Sequence, residues 1–159
     1  MTLLTPDAKI NRVEDITVEM LKQRGIKSLL IDVDNTLVSR DSKELTPSVA
    51  EWIEGLKAAG FTCCLLSNNW HQIVFEYAES LELPIIYKAM KPLPVSFIKA
   101  LVKIGAHRAS TVVVGDQLFT DILGARLCEI PCILVEPLST TDLWYTKIFR
   151  RVEDKILGK

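Results

Sequence analysis

The sequence lacks any hydrophobic run long enough to cross a membrane, since no apolar stretch approaches the roughly 18 residues of a transmembrane helix. It also lacks an excess of basic charge, and its formal net charge of −1 argues against a nucleic-acid-binding protein. Residues 1–7 have neither a basic start nor a long apolar core, so we expect no secretory signal peptide there. These absences predict a protein of the cytoplasm, or of an organelle matrix or stroma.

Cysteine and histidine are scarce and do not stand at metal-ligand spacing. All of the cysteines lie in or near apolar strand-like runs: Cys63, Cys64, Cys128 and Cys132. Neither His71 nor His107 is at zinc-ligand spacing from them, so we expect buried reduced thiols rather than a zinc site. The length of 159 residues, with 48% hydrophobic and 25% charged, predicts one globular domain over 1–159.

Short apolar runs alternate with amphipathic segments along the chain. Unbroken runs of the kind typical of strands buried on both faces occur at 28–31, 61–66, 111–114 and 132–135, with a weaker one at 85–87. Helical spacing predicts helices over 47–60, 70–81, 94–104 and 119–127. The alternation predicts a three-layer, Rossmann-like α/β fold around a mainly parallel sheet of about five strands.

Two carboxylates mark the end of the first run, because Asp32 and Asp34 directly follow residues 28–31. In an open parallel sheet, ligands bind at the carboxyl ends of the strands. Burying two neighbouring carboxylates there is costly unless a cation compensates their charge. The pair therefore predicts a divalent metal, and a metal beside an aspartate points to phosphoryl chemistry.

Polar residues also follow three other runs. Ser67 ends the second run just before a helix N-terminus, where backbone donors favour an anion. Lys91 follows the weak run, and Asp116 and Asp121 lie in an acidic loop after 111–114. Taken singly, these residues have ordinary explanations as a helix cap, a solvated lysine or a surface carboxylate. Their order and their shared placement after strands predict a cation site beside a phosphate site.

These residues resemble the four motifs of the haloacid-dehalogenase-like (HAD) phosphatases, over about residues 27–135. The motifs are Asp32-Val33-Asp34-Asn35-Thr36, Ser67, Lys91, and Gly115-Asp116 followed by Asp121. The chain is similar in particular to the YqeG-like group of class III, on the evidence of Gly25-Ile26-Lys27, Asp34-Asn35-Thr36-Leu37, Ser67-Asn68-Asn69, Lys91-Pro92 and Gly115-Asp116-Gln117. That group is itself similar to mitochondrial and plastid phosphatidylglycerophosphate phosphatases.

The resemblance implies a Mg²⁺-dependent phosphomonoesterase. Asp32 is then the nucleophile that forms an aspartyl-phosphate, and Asp34 is the general acid and afterwards the general base. The Mg²⁺ ion is held by the Asp32 carboxylate, the Asp34 backbone carbonyl and Asp116.

The same resemblance assigns the phosphoryl-binding groups. Ser67, the backbone N–H of Asn68 and Lys91 bind the phosphoryl oxygens. Thr36 braces the loop, and Asp121 orients Lys91 or a metal-bound water from outside the metal's own ligand set.

The spacing of the motifs bears on substrate size. The intervals 36–67 and 67–91 have room for little more than one helix and a short strand, so no large cap domain is expected. Terminal helices are predicted over 13–25 and 142–157. The second interleaves aromatic and aliphatic residues with Lys147, Arg150, Arg151 and Lys155. That pattern suits contact with a membrane surface, or packing against the sheet or a second subunit of a homo-oligomer.

The sequence favours a phosphatase acting on a phosphorylated small molecule or a lipid head group, with phosphatidylglycerophosphate as the specific prediction. The alternatives are a phosphatase for a soluble nucleotide, sugar or protein phosphate, and a non-catalytic metal-binding or phospho-acceptor regulatory module. A dehalogenase is disfavoured because a departing halide needs no acid such as Asp34.

Overall fold

A computed structural model describes residues 2–139 and 144–158, with residues 144–149 as backbone alone. Among these residues, six strands form one sheet: β1 (Ala8–Ile10), β2 (Ser28–Ile31), β3 (Thr62–Leu66), β4 (Ile85–Ile86), β5 (Thr111–Gly115) and β6 (Cys132–Val135). Their order across the sheet is β1-β6-β5-β2-β3-β4, and every neighbouring pair is parallel. The two edge strands are the shortest, with three residues in β1 and two in β4.

The segments between the strands are mostly helical. The α-helices are α1 (Val18–Gln23), α2 (Pro47–Ala58), α3 (Ile73–Leu81), α4 (Pro94–Lys103), α5 (Leu123–Leu127) and α6 (Trp144–Leu157). Short 3₁₀ turns cover Val13–Asp15 and Arg108–Ser110, and a π-helical turn at Leu118–Ile122 leads into α5. Asp142 and Leu143 of the predicted terminal helix lie outside the described residues.

The sheet separates two hydrophobic cores because successive strand residues point to opposite faces. On β2, Leu29 and Ile31 join a core shared with α1, α2 and α3. Leu30 joins the other core, which contains residues of α4 and α5. The prediction of a three-layer α/β fold with a parallel sheet is therefore confirmed.

The sheet has six strands rather than about five, because the sequence pattern does not predict β1. Its central residue, Lys9, is exposed, so β1 shows no apolar run. β1 is held by its pairing with β6 and by Asp7, whose backbone N–H donates to the Cys132 carbonyl at 2.9 Å. The Cys132 N–H in turn donates to the Asp7 carboxylate at 2.8 Å.

Helix boundaries follow local hydrogen bonds. α2 begins at Pro47 as predicted, and the Thr46 hydroxyl accepts the Val49 N–H as its cap. α3 begins at Ile73 rather than at residue 70, because the Asn69 side chain holds the His71 N–H in a turn at 2.8 Å. The predicted helices over 13–25 and 119–127 each start with a short non-α turn.

The described chain contains no large cap domain. Between β2 and β3 lie one loop and α2, and between β3 and β4 the only helix is α3.

No helix among the described residues is both long and apolar enough to cross a membrane. The four cysteines are buried and free, and burial raises the pKa of Cys63 to about 12.

The central strands bring the motif residues to one edge. β2 lies between β3 and β5, with Ile31 in register with Leu65 on one side and Val114 on the other. The residues that follow these strands therefore emerge side by side at the carboxyl edge of the sheet.

Candidate active site

Asp32 and Thr36 form the centre of the site. The Asp32 N–H extends the sheet by donating to the Val114 carbonyl at 2.9 Å, and this fixes the residue beside β5. The Thr36 hydroxyl is 2.9 Å from Oδ2 of Asp32 and 3.2 Å from Oδ1 of Asp116. A hydroxyl has a single proton to donate, so it cannot fully satisfy both carboxylates. All three residues are buried, which leaves a shortage of positive charge between the two aspartates.

Lys91 supplies part of that charge. Its Nζ atom lies 2.8 Å from Oδ1 of Asp32 and 2.7 Å from Oδ1 of Asp121, with only 3% of the side chain exposed. Burial alone would lower the pKa of Lys91, but the charges of Asp121 and Asp32 outweigh it and hold the pKa above its ordinary value. The ammonium therefore stays charged between the two carboxylates.

Asn68 positions the Lys91 backbone. Its side-chain Oδ1 accepts the Lys91 N–H at 2.7 Å, and its Nδ2 donates to the Lys91 carbonyl at 3.2 Å. The family resemblance implies a different contribution from this residue, a backbone N–H offered to phosphate. The side-chain contact adds a structural role, since it ties the loop after β3 to the loop after β4.

The acidic loop after β5 depends on a glycine. A Cβ atom on Gly115 would lie 2.2 Å from Cγ and Oδ2 of Asp121, so no larger residue fits while Asp121 keeps this position. The Gln117 N–H also holds Asp121, by donating to Oδ2 at 3.2 Å.

Burial and the Asp32 charge raise the pKa of Asp121 to about 6, against the opposing effect of Lys91. Burial likewise raises the pKa of Asp116 well above its ordinary value.

The carboxylates of Asp32, Asp116 and Asp121 converge, with one oxygen of each within 4.8 Å of the others. Carboxylate oxygens are the preferred ligands of Mg²⁺ and related hard cations. Three buried carboxylates outnumber the two cationic side chains that pair with them, Lys91 and Arg150, and the Thr36 proton is shared, so the group fits a divalent cation. The Asp34 carboxylate lies outside this trio, which is compatible with the predicted use of its backbone carbonyl instead.

Asp34 lies beside the trio in a half-buried position. Burial and then repulsion from Asp32 raise its pKa, although a hydrogen bond from Nδ2 of Asn69 to Oδ2 at 3.2 Å opposes the shift. A carboxyl group with a raised pKa is suited to proton transfer. Ser67 supports this arrangement because its fully buried hydroxyl accepts the Asn69 N–H at 3.0 Å.

Two residues of α6 reach the site although no sequence motif predicts it. Arg150 donates from Nη1 to the Asp116 carbonyl at 2.6 Å and forms an ion pair with the Asp116 carboxylate through Nη2. Glu153 is buried and accepts the backbone N–H groups of Leu118 at 2.9 Å and Phe119 at 3.3 Å. In the sequence both residues look like parts of an amphipathic helix, and no local signal connects them to the loop after β5.

Comparison with known proteins first identifies a class of protein that agrees with the fold and with the acidic cluster. Residues 89–145 match the HAD-hydrolase-like family. The cobalt-bound deoxy-D-mannose-octulosonate 8-phosphate phosphatase YrbI of Haemophilus influenzae has the same fold, with a TM-score of 0.58. It is 16% identical, and the alignment covers 86% of this chain and 90% of that protein.

The relatives that match by sequence identify the family more closely than the fold does. The probable phosphatase YqeG of Bacillus subtilis is 39% identical over 153 residues, which cover 96% of this chain and 89% of that protein. The chain therefore belongs to the HAD-like phosphatase superfamily, in the class III group of YqeG. A chloroplastic and mitochondrial phosphatidylglycerophosphate phosphatase of Arabidopsis thaliana is 27% identical over 164 residues, which cover 97% of this chain but 47% of that protein.

Proposed function

We propose that the protein is a Mg²⁺-dependent phosphomonoesterase that works through an aspartyl-phosphate on Asp32. The observation that carries the proposal is the buried group of Asp32, Asp116 and Asp121 with Lys91 placed between two of them. A structural ion pair alone does not need three buried carboxylates. A site that binds a divalent cation beside a phosphoryl group accounts for these three carboxylates.

Asp32 attacks phosphorus with a carboxylate oxygen, and the bond between phosphorus and the leaving oxygen breaks. Asp34 gives its proton to that oxygen, so the alcohol leaves in neutral form. Asp34 then accepts a proton from the water that attacks the phosphoenzyme, and the bond between phosphorus and Asp32 breaks to release phosphate. Burial and the Asp32 charge raise the pKa of Asp34, which is the direction that proton donation requires.

The surrounding residues bind and orient. Asp32, the Asp34 carbonyl and Asp116 would hold Mg²⁺, which when bound neutralises negative charge on the phosphoryl oxygens. Lys91 binds a phosphoryl oxygen, aided by the Ser67 hydroxyl and the Asn68 N–H. Thr36 and Asp121 keep Asp32 and Lys91 in place through their hydrogen bonds to them.

As the particular substrate we propose phosphatidylglycerophosphate. The Arabidopsis relative that carries this activity in its name supports the choice, and so does the absence of a cap domain among the described residues, since an open site admits a large substrate. Soluble nucleotide, sugar or protein phosphates remain the competing class. Membrane contact through 142–157 and homo-oligomer formation are predictions of the same hypothesis.

Turnover of an aryl phosphate, measured with Mg²⁺ and after chelation, tests the activity. We expect wild-type turnover to need the metal and Asp32→Asn to lose essentially all of it while keeping its fold. Asp41→Asn, an exposed change in the following loop, is the matched control. If wild type turns over no phosphomonoester, the regulatory-module alternative is favoured. A panel comparing phosphatidylglycerophosphate with soluble phosphomonoesters then tests the substrate.

A further inference from the structure

One long stretch of the chain carries no acidic residue. Residues 83–115 contain five basic residues and no Asp or Glu, although the whole chain has more acidic than basic residues. This stretch includes β4, α4 and the loop that holds Lys91. Lys88, Lys99 and Lys103 are exposed, whereas the charge of Arg108 is compensated by Glu129 at 3.7 Å. The three exposed lysines therefore make this part of the surface locally basic.

The same stretch exposes apolar side chains. Six of the twelve large apolar side chains exposed among the described residues lie in this stretch: Tyr87, Met90, Leu93, Val95, Ile98 and Val102. α4 already buries Phe97, Ala100 and Leu101 against the core, so its outer face would ordinarily be polar. Instead Val95, Ile98 and Val102 point outward, with Val102 76% exposed. Because Val95, Ile98 and Val102 share one face of α4, their exposure marks this face as a candidate interaction surface.

One end of this surface is next to the site residues. Met90 directly precedes Lys91, and the Lys88 N–H donates to the Asn69 carbonyl at 3.3 Å. The Lys88 ammonium lies 5.7 Å from the centre of the Trp70 ring, and Trp70 is 64% exposed. Whatever contacts this rim is therefore adjacent to the groups that would receive a phosphoryl group.

We propose that the α4 surface, defined as Trp70, Lys88, Met90, Leu93 and the outer face of α4, docks onto an anionic lipid bilayer. Lysines interleaved with aliphatic residues, and an aromatic residue at one end, match the negative head groups and the apolar layer beneath them. A soluble acidic partner would match the lysines but would leave the apolar side chains unexplained. Docking brings head-group phosphates close to the site residues, and this second step rests on the proposed phosphatase function.

α6 is a second candidate for the contact, since Arg151, Val152, Lys155 and Ile156 are exposed, but not all of its charges face solvent. Arg150 and Glu153, among the described side chains of α6, are turned toward the site and are bonded to the loop after β5. They are thus engaged with protein. The lysines of α4 face solvent, on a helix whose opposite side is fixed to the sheet.

Co-sedimentation of the full chain with phosphatidylglycerol-containing vesicles, compared with phosphatidylcholine vesicles, tests the proposal. We expect binding to the anionic vesicles only, weakened on the order of tenfold or more in the double variant Lys99→Glu, Lys103→Glu. The control, Lys9→Glu with Lys22→Glu, makes the same change in net charge at exposed positions away from α4 and should bind like wild type. Val102→Ser should also weaken binding, whereas the remote exposed change Leu3→Ser should not.

Failure of wild type to bind anionic vesicles, or an equal loss in the control variant, overturns the proposal. Preferential binding to soluble polyglutamate over vesicles overturns it in favour of an acidic protein partner. Aryl phosphate turnover without vesicle binding leaves the phosphatase function standing and removes the docking surface. Vesicle binding through α4 without turnover leaves the docking surface standing and removes the phosphatase function.

Discussion

Arg150 on α6 forms an ion pair with the carboxylate of Asp116 and also donates to its backbone carbonyl, across a separation of 34 residues in the chain. Asp116 is also one of the three carboxylates that could hold a cation. A guanidinium and a divalent metal would therefore stabilise the same buried negative charge. α6 is thus connected to the candidate cation site through the Arg150 side chain.

Replacing Arg150 by Ala should destabilise the metal-free protein by about 1–3 kcal/mol, because the buried Asp116 carboxylate loses a hydrogen-bonded partner. Mg²⁺ supplies an alternative positive charge, so it should raise the melting temperature of Arg150→Ala more than that of wild type. Thermal unfolding with and without Mg²⁺ measures both effects. Arg151→Ala, an exposed neighbour on α6, is the control. Equal stabilities of the two variants would contradict the role of Arg150.

Replacing Asp34 by Asn should lower turnover about 10² to 10⁴-fold for alkyl phosphates, because the leaving oxygen loses its proton donor. Aryl phosphates with acidic phenols need less protonation, so the loss should shrink as the leaving group becomes more acidic. The rate constants of wild type and variant across a series of substituted phenyl phosphates measure this dependence. A loss of the same size for every leaving group would count against Asp34 as the acid.

Replacing Gly115 by Ala should cost about 1–3 kcal/mol of unfolding free energy, because the new methyl group collides with Asp121. Asp121 must then move away from Lys91, so turnover should fall together with stability. Gly55→Ala on α2 is the control, since a Cβ there meets nothing within 4 Å. Urea unfolding and aryl phosphate turnover test both variants, and a Gly115→Ala protein as stable and active as wild type would refute the close approach.

Replacing Asp7 by Asn should destabilise the protein at neutral pH by about 1 kcal/mol, after allowance for its partly exposed side chain. Burial would raise the pKa of Asp7, but the Cys132 N–H and Arg126 outweigh it and lower the pKa below its ordinary value of 3.8. A carboxylate with a lowered folded-state pKa contributes stability above its unfolded-state pKa and loses it as the pH falls through the folded-state value.

The difference in the free energy of unfolding between wild type and Asp7→Asn should therefore be largest at neutral pH. It should vanish when the pH is below the folded-state pKa. Urea unfolding at a series of pH values measures it. Glu79→Gln, an exposed change on α3, should show no such trend. A difference that does not change with pH would show that Asp7 acts by shape rather than by charge.

The fold and the convergence of Asp32 with Asp116 could be predicted because the relevant residues follow continuous apolar runs. β2 and β6 have the predicted boundaries, and Asp32 and Asp116 lie together because parallel strands end at one edge. β1 could not be predicted, since three residues with an exposed lysine at the centre give no periodic signal.

The remaining contacts depend on side chains that meet across distant segments. The two hydrogen bonds of Asn68 join it to Lys91, 23 residues further along the chain, and their existence depends on how two loops pack. Arg150 reaches Asp116 only because α6 lies over the loop after β5. A pattern of charges along a helix indicates an amphipathic face but not which charge is turned inward.

The short edge strands have a consequence for how the protein behaves when concentrated. β4 offers two residues of backbone and β1 offers three, with exposed Lys9 at the centre of β1. A brief or charged edge gives a neighbouring polypeptide little opportunity to extend the sheet. Polymerisation by strand addition is therefore disfavoured at both edges of the sheet.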